Sequence, residues 1–323
     1  HNQEEPERQK ALKYEGEESS LFTEWKMTSW PWMKGVDEGL TSSPIDPVTK
    51  DDVRPLVSDL IAEHREKIDK IKAEVSMDPL YDEDKHDDLW LMRFWMSHKK
   101  SNLAIKAAKA TLLLRSKHKL DEKDVRSIPP HKLTEGPAGT YFQINKHSHR
   151  YTLPDPKRGV VGFICIATTD YSKMLDNLTA EDWVAPYMYL SEWTHQWCDY
   201  VTRTTGRLTK TIRLLDIRNV GLGTIPRECI KRDGESTKIM EDAYPQMLET
   251  LFLCFPGSIF HILWAITRPL LPKRIVHKMD VIDPVKNDKE RTRAHAHMQE
   301  KHIPKEFGGP NKSFLEWEDI VVA

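Results

Sequence analysis

From Asp51 the apolar positions fall into helical spacing. Val53, Leu56, Leu60, Ile61, Ile68 and Ile71 recur with charges between them, which predicts an amphipathic helix. "DDLWLMRFWMSHKK" follows, with Leu89, Met92 and Met96 on one stripe and acid in its first turn. "SNLAIKAAKATLLLRSKHKL" reads as a third helix with Ser101 as its N-cap and a basic last turn. After Pro129-Pro130 the period changes. Short β-branched runs at "VVGFICIAT" (160–168), "TKTIRLLDIRNVG" (209–221), "ETLFLCFPG" and near "KRIVHKMDVI" predict strands. Helices are expected at 182–202, 235–248, over the apolar run beginning near Ile259, and at 288–301. Strands that alternate with helices predict an α/β class with a parallel or mixed sheet, preceded by a small all-α unit.

The most apolar stretch is "FPGSIFHILWAITRPLLP", from Phe255 to Pro272. Thr250–Leu271 has the length of a membrane span. However, Pro256-Gly257 divide it after a strand-like run, and Arg268-Pro269 interrupt its end. About a dozen helical residues remain, too few to cross a bilayer. Ile259, Phe260, Ile262, Leu263, Trp264, Ile266 and Leu270 leave this helix apolar on nearly every side. Such a helix is either enclosed by protein or in contact with oil.

Composition narrows the function classes. Charged residues make up 30% of 323, hydrophobic ones 39%, and the formal net charge is -2. No global field recruits nucleic acid. Cys165, Cys198, Cys229 and Cys254 are widely spaced and form no metal or disulfide pattern. His295 and His302 share a helical face that turns His297 away, which argues against a metal site. "GLGTIP" opens like a dinucleotide loop, but Pro226 stands where the third glycine belongs. GxSxG, GxxxxGK[ST] and HExxH are absent from the sequence. Residues 1–50 read as a polar tail carrying Trp25, Trp30 and Trp32, and 316–323 as a second short tail. Residues 51–125 and 126–315 are expected to form the helical and the α/β units.

"DDLWLMRFWMSHKKSNLAIKAAK", "TIRLLDIRNVG", "AYPQMLETLFLCFPGSIFHILWAITRPLLP" and "IPKEFGG" occur in an order and spacing that resemble the CRAL-TRIO lipid-binding family, most of all its phosphatidylinositol-transfer branch. The resemblance spans about residues 55–315. It implies an α/β lobe with a mixed or parallel sheet enclosing an apolar pocket under Ile259–Leu271. That helix would be a mobile gate that closes over the ligand in water and opens at a bilayer. It further implies a headgroup site in which Arg268, at a family lysine position, is held with Glu235. Trp95, Met96 and His98 depart from the small or basic residues usual in the family.

Alternation places Thr211, Arg213, Leu215 and Ile217 on one strand face, which in the family lines the pocket. Thr211 keeps a phosphate-binding hydroxyl; Arg213 departs from the pattern and calls for an anion. The resulting expectation is a non-enzymatic, cytoplasmic carrier, monomeric, that works transiently at membrane surfaces. It would exchange one amphipathic lipid, such as phosphatidylinositol, with no cofactor beyond the bound lipid. The alternatives are a carrier of a tocopherol-, retinoid- or haem-like ligand, or a lipid-regulated protein-interaction module.

Overall fold

The computed structural model describes residues 52–152, 160–271, 273–296, 298 and 303–313. Both expected tails, with their tryptophans, lie outside these residues, as do His297 and His302.

Helices α1 (Val57–Val75), α2 (Asp88–His98) and α3 (Ser101–His118) pack around Ile68, Ile71, Leu91, Met92, Phe94, Ala104 and Leu112. Helix α1 starts six residues later than its periodicity predicts. The segment before it is held elsewhere: Val57 N–H donates to Gly206 O at 2.9 Å, and Leu208 N–H to Pro55 O at 3.0 Å. Pro55 itself disfavours helix at the residue before it. Gly206, at φ +67°, makes that clip possible by ending the helix before it in the left-handed region. Ser101 is the first helical residue of α3 rather than its cap. The cap position is Lys100, which makes no side-chain cap bond. Asp87 does cap α2, accepting from Trp90 N–H at 3.0 Å.

The α/β lobe is built on a mixed five-stranded sheet in the order β1 (His149–Tyr151), β2 (Val161–Cys165), β3 (Thr211–Asp216), β4 (Leu248–Cys254), β5 (Met279–Ile282). Strand β1 is antiparallel at one edge; the rest run parallel. Helix α4 (Gly136–Ile144) precedes β1; α5 (Tyr171–Asn177), α6 (Val184–Thr205), α7 (Arg227–Ala243), α8 (Phe260–Thr267) and α9 (Lys273–Val276) come between strands, and α10 (Asp288–His295) follows β5. Strand β1 and helices α4 and α5 are short and carry weak periodicity, which is why pattern alone does not predict them. Helix α7 begins eight residues before the predicted 235, because Pro226 is its N-cap rather than a loop residue.

Alternation along the strands gives the sheet two different faces. Phe163, Ile212, Leu214, Phe252 and Ile282 pack against Ala294 of α10 and against Met298, Ile303 and Phe307. The opposite face carries Arg213, Leu215, Leu251 and Leu253, and this is the face on which the cavities lie. Among the described residues no helix is long and apolar enough to cross a membrane.

Candidate functional site

Two cavities adjoin on that face. The outer one, about 300 Å³, lies between α6, α7 and the α9–β5 turn, with the end of α2 at its rim. The inner one, about 180 Å³, lies between the sheet, α4, α5 and α6. Tyr187, Leu190 and Arg213 line both, so Arg213 stands at the junction.

Arg213 owes its place to strand register. It pairs with Gly162 of β2 and Leu251 of β4, and Gly162 in turn pairs with Tyr151 of β1. A Cβ at Gly162 would sit 3.2 Å from the Tyr151 ring and 3.5 Å from Arg213 Cγ. Glycine in this strand interior leaves the lane in which the two long side chains meet. Arg213 is half-buried and makes no ion pair with a carboxylate among the described residues.

Lys278 is the second such cation. Its Nζ donates to Leu248 O at 2.6 Å, it lines the outer cavity, and it too makes no ion pair with a carboxylate among the described residues. Burial lowers its ammonium pKa, Lys210 adds to this, and Glu241 and Glu249 oppose it. In the sequence Lys278 belongs to the basic run Lys273, Arg274, His277, Lys278, which does not by itself mark it as inward-facing. The signal that would have placed it inward is its position just ahead of the β5 run, where the chain enters the sheet. Arg274 also lines the outer cavity, but its charge is spent on Glu241 at 3.4 Å and Asp242 at 2.5 Å. Burial pushes Glu241 above the usual carboxylate range, against the pull of Arg274 and Lys278.

The other wall is α7. Asp233, Thr237, Met240 and Glu241 recur at helical spacing and Tyr244 continues the stripe, all lining one cavity or the other. Glu235 is two residues off that stripe and is exposed. This corrects the expected headgroup pair. Glu235 and Arg268 are both exposed and form no ion pair with each other; the cation that joins Glu241 and Asp242 of α7 is Arg274. Thr211 is buried, and its hydroxyl donates to Val160 O at 2.8 Å while the residue lines the outer cavity.

The apolar helix takes the sheet face beside the cavities. Phe260 and Trp264 stack at 6.1 Å between centroids and pack with Leu215, Ile217, Leu251 and Leu253. Ile259 is partly buried. Ile262 and Ile266 are 43% and 54% exposed. The side chains of Leu263 and Leu270 lie outside the described set. No described residue of 259–271 lines either cavity, so the space sits beside this helix rather than directly beneath it.

Residues 154–309 match the family model described as the CRAL/TRIO domain. The chain carries a CRAL/TRIO domain. With the helices α1–α3 before it, the parallel strands β2–β5 within it and β1 added at the sheet edge, the fold is of that class. A CRAL/TRIO domain is a module for binding lipid, and lipid binding in general is the function the match supports. A solved chain reported as "Crystal structure of Sfh5" aligns over 69% of this chain and 79% of its own, at 11% identity and a TM-score of 0.48.

Proposed function

We propose that the protein takes up one anionic amphipathic lipid, a phospholipid such as phosphatidylinositol, and exchanges it at membrane surfaces without covalent chemistry. The observation that carries this reading is the pair Arg213 and Lys278, two cations that line one cavity and make no ion pair with a carboxylate among the described residues. A partly desolvated cation without a counter-ion is costly, and a phosphate would satisfy both by charge-assisted hydrogen bonds. Thr237 lines the same cavity and offers a hydroxyl to a headgroup, whereas the Thr211 hydroxyl is committed to Val160 O.

A diacyl lipid is larger than either chamber, so loading must enlarge the space. Leu215 and Leu251 line the inner chamber and also carry Phe260 and Trp264 of α8. Lifting α8 would therefore bare Leu215 and Leu251 and let that chamber extend sideways along the sheet face. Its exposed Ile262 and Ile266 are placed to enter a bilayer, with Lys273 and His277 exposed beyond the turn toward anionic headgroups.

Two outcomes are expected. In vesicle-to-vesicle transfer assays, Arg213→Ala should slow phosphatidylinositol transfer about ten- to a hundredfold while changing phosphatidylcholine transfer little. Equal loss for both lipids, or no loss with the fold intact, would argue against an anion at this position. The double change Ile262→Ser, Ile266→Ser removes apolar side chains worth ~1.5–3 kcal/mol each on full burial. It should cut vesicle association at least about tenfold and leave the melting temperature unchanged, since both positions are exposed. Undiminished vesicle binding would place the membrane contact elsewhere.

A further inference from the structure

The inner chamber holds a polar group that a hydrocarbon tail cannot satisfy. Asp233 lines it from α7 and is partly buried. Trp183 Nε1 donates to it at 2.8 Å and Tyr187 Oη at 2.6 Å. Both address Oδ1. Oδ2 receives no hydrogen bond from any described residue. An unsatisfied carboxyl oxygen beside a lipid tail costs free energy on loading, because the tail displaces solvent and returns nothing.

From this geometry we infer that the ligand is bifunctional: an anionic group at Arg213 and a hydroxyl, at the end buried in the inner chamber, against Asp233. The inference rests on the reading of Arg213 as the anion seat and adds the second anchor. A hydroxyl suits the position better than an amine, because it donates to an ionised carboxylate and accepts from a protonated one. That distinction matters here, since burial raises the Asp233 pKa. The chamber walls between the anchors, Tyr141, Tyr151, Leu215 and Leu251, are apolar or aromatic and would hold the body of such a ligand. Arg213 and Asp233 form no ion pair with each other, so both remain free to take the two ends.

The test is competition against a bound fluorescent naphthalene sulfonate, using ω-hydroxy fatty acids and unsubstituted fatty acids matched over a series of chain lengths. In the unaltered protein the hydroxy acid should bind at least about tenfold tighter at the length that spans the anchors. Asp233→Ala should bring that ratio to about one, whereas Arg213→Gln should weaken both acids and preserve it. A ratio near one at every length, with both acids bound, would overturn the second anchor and leave the anion reading standing. So would a ratio that survives Asp233→Ala. If neither acid competes, or if Arg213→Gln changes neither affinity, the anion reading fails and the inference with it. The wild-type series decides the matter even if Asp233→Ala does not fold.

Discussion

Replacing Glu192 with leucine is expected to destabilise the protein by about 3–5 kcal/mol, because it strands a buried arginine. Glu192 of α6 is 2% exposed. It accepts from Arg115 Nη1 at 3.1 Å and Nη2 at 3.3 Å, from Gln196 Nε2 at 2.8 Å and from Tyr244 Oη at 2.7 Å. Burial alone would raise its carboxyl pKa; the Arg115 charge, helped by these hydrogen bonds, holds it below its ordinary value. Arg115 belongs to α3, so the network ties the leading helices to the CRAL/TRIO lobe. Tyr244 at the end of α7 adds the wall of the outer cavity to the same knot. Asp121, at 2.7 Å from Arg115 Nε, offsets only part of the stranded charge. A urea titration measures the effect as a drop in midpoint at unchanged slope. The double change Arg115→Met, Glu192→Leu should recover most of the loss, since an apolar pair removes the unpaired charge along with the bond. A single mutant as stable as the parent would show that the pair contributes nothing.

Much of this architecture is legible in the sequence, and the failures have physical causes. Strands β2 to β5 each carry a run that reads as strand, most continuously apolar in β2, which is covered along nearly its whole length. The alternation in "TIRLLDI" is enough to put Arg213 and Leu215 on one face and Ile212 and Leu214 on the other, as the register shows. Helix α7 is harder. Its interior stripe is made of Asp233, Thr237 and Glu241, residue types that read as solvent-facing, so periodicity cannot tell its inner face from its outer one. Glu235 follows from the family resemblance rather than from pattern, and the helix turns it outward. The glycine in "VVGFIC" is a local signal with a structural meaning, close approach across a strand, but what approaches is known only once β1 is in place. The paired cations and the open oxygen of Asp233 depend on contacts between elements far apart in the chain, which no local window contains.

Acidification should destabilise the protein steeply between about pH 6.5 and pH 4, through histidines buried in their neutral form. Burial pushes His149 down to about 4, with the Arg150 and Arg213 cations adding to the effect and a hydrogen bond with Asn145 opposing it. Burial likewise lowers His195 to about 4 against the pull of Asp199 and Glu192, and lowers His118 to about 4 with help from Lys117 and Lys123. In the unfolded chain each titrates near ~6.5. Between those values the unfolded state holds more protons than the folded one, so stability rises with pH across the window and is lost as pH falls through it. Each histidine contributes a slope of up to about 1.4 kcal/mol per pH unit, so together they make the window worth several kcal/mol. Asp233 and Glu241 act with the opposite sign. Their raised values mean the folded state gains protons first, which offsets part of the loss just above the ordinary carboxylate range. The histidines prevail over most of the window because their unfolded values lie well above those of carboxylates. Urea midpoints measured from pH 7 to pH 5 should fall monotonically, and His149→Gln should flatten the dependence by about one proton's share. A midpoint that stays level across that range would mean that these imidazoles titrate in the folded protein as they do in the unfolded chain, so that burial does not hold them neutral.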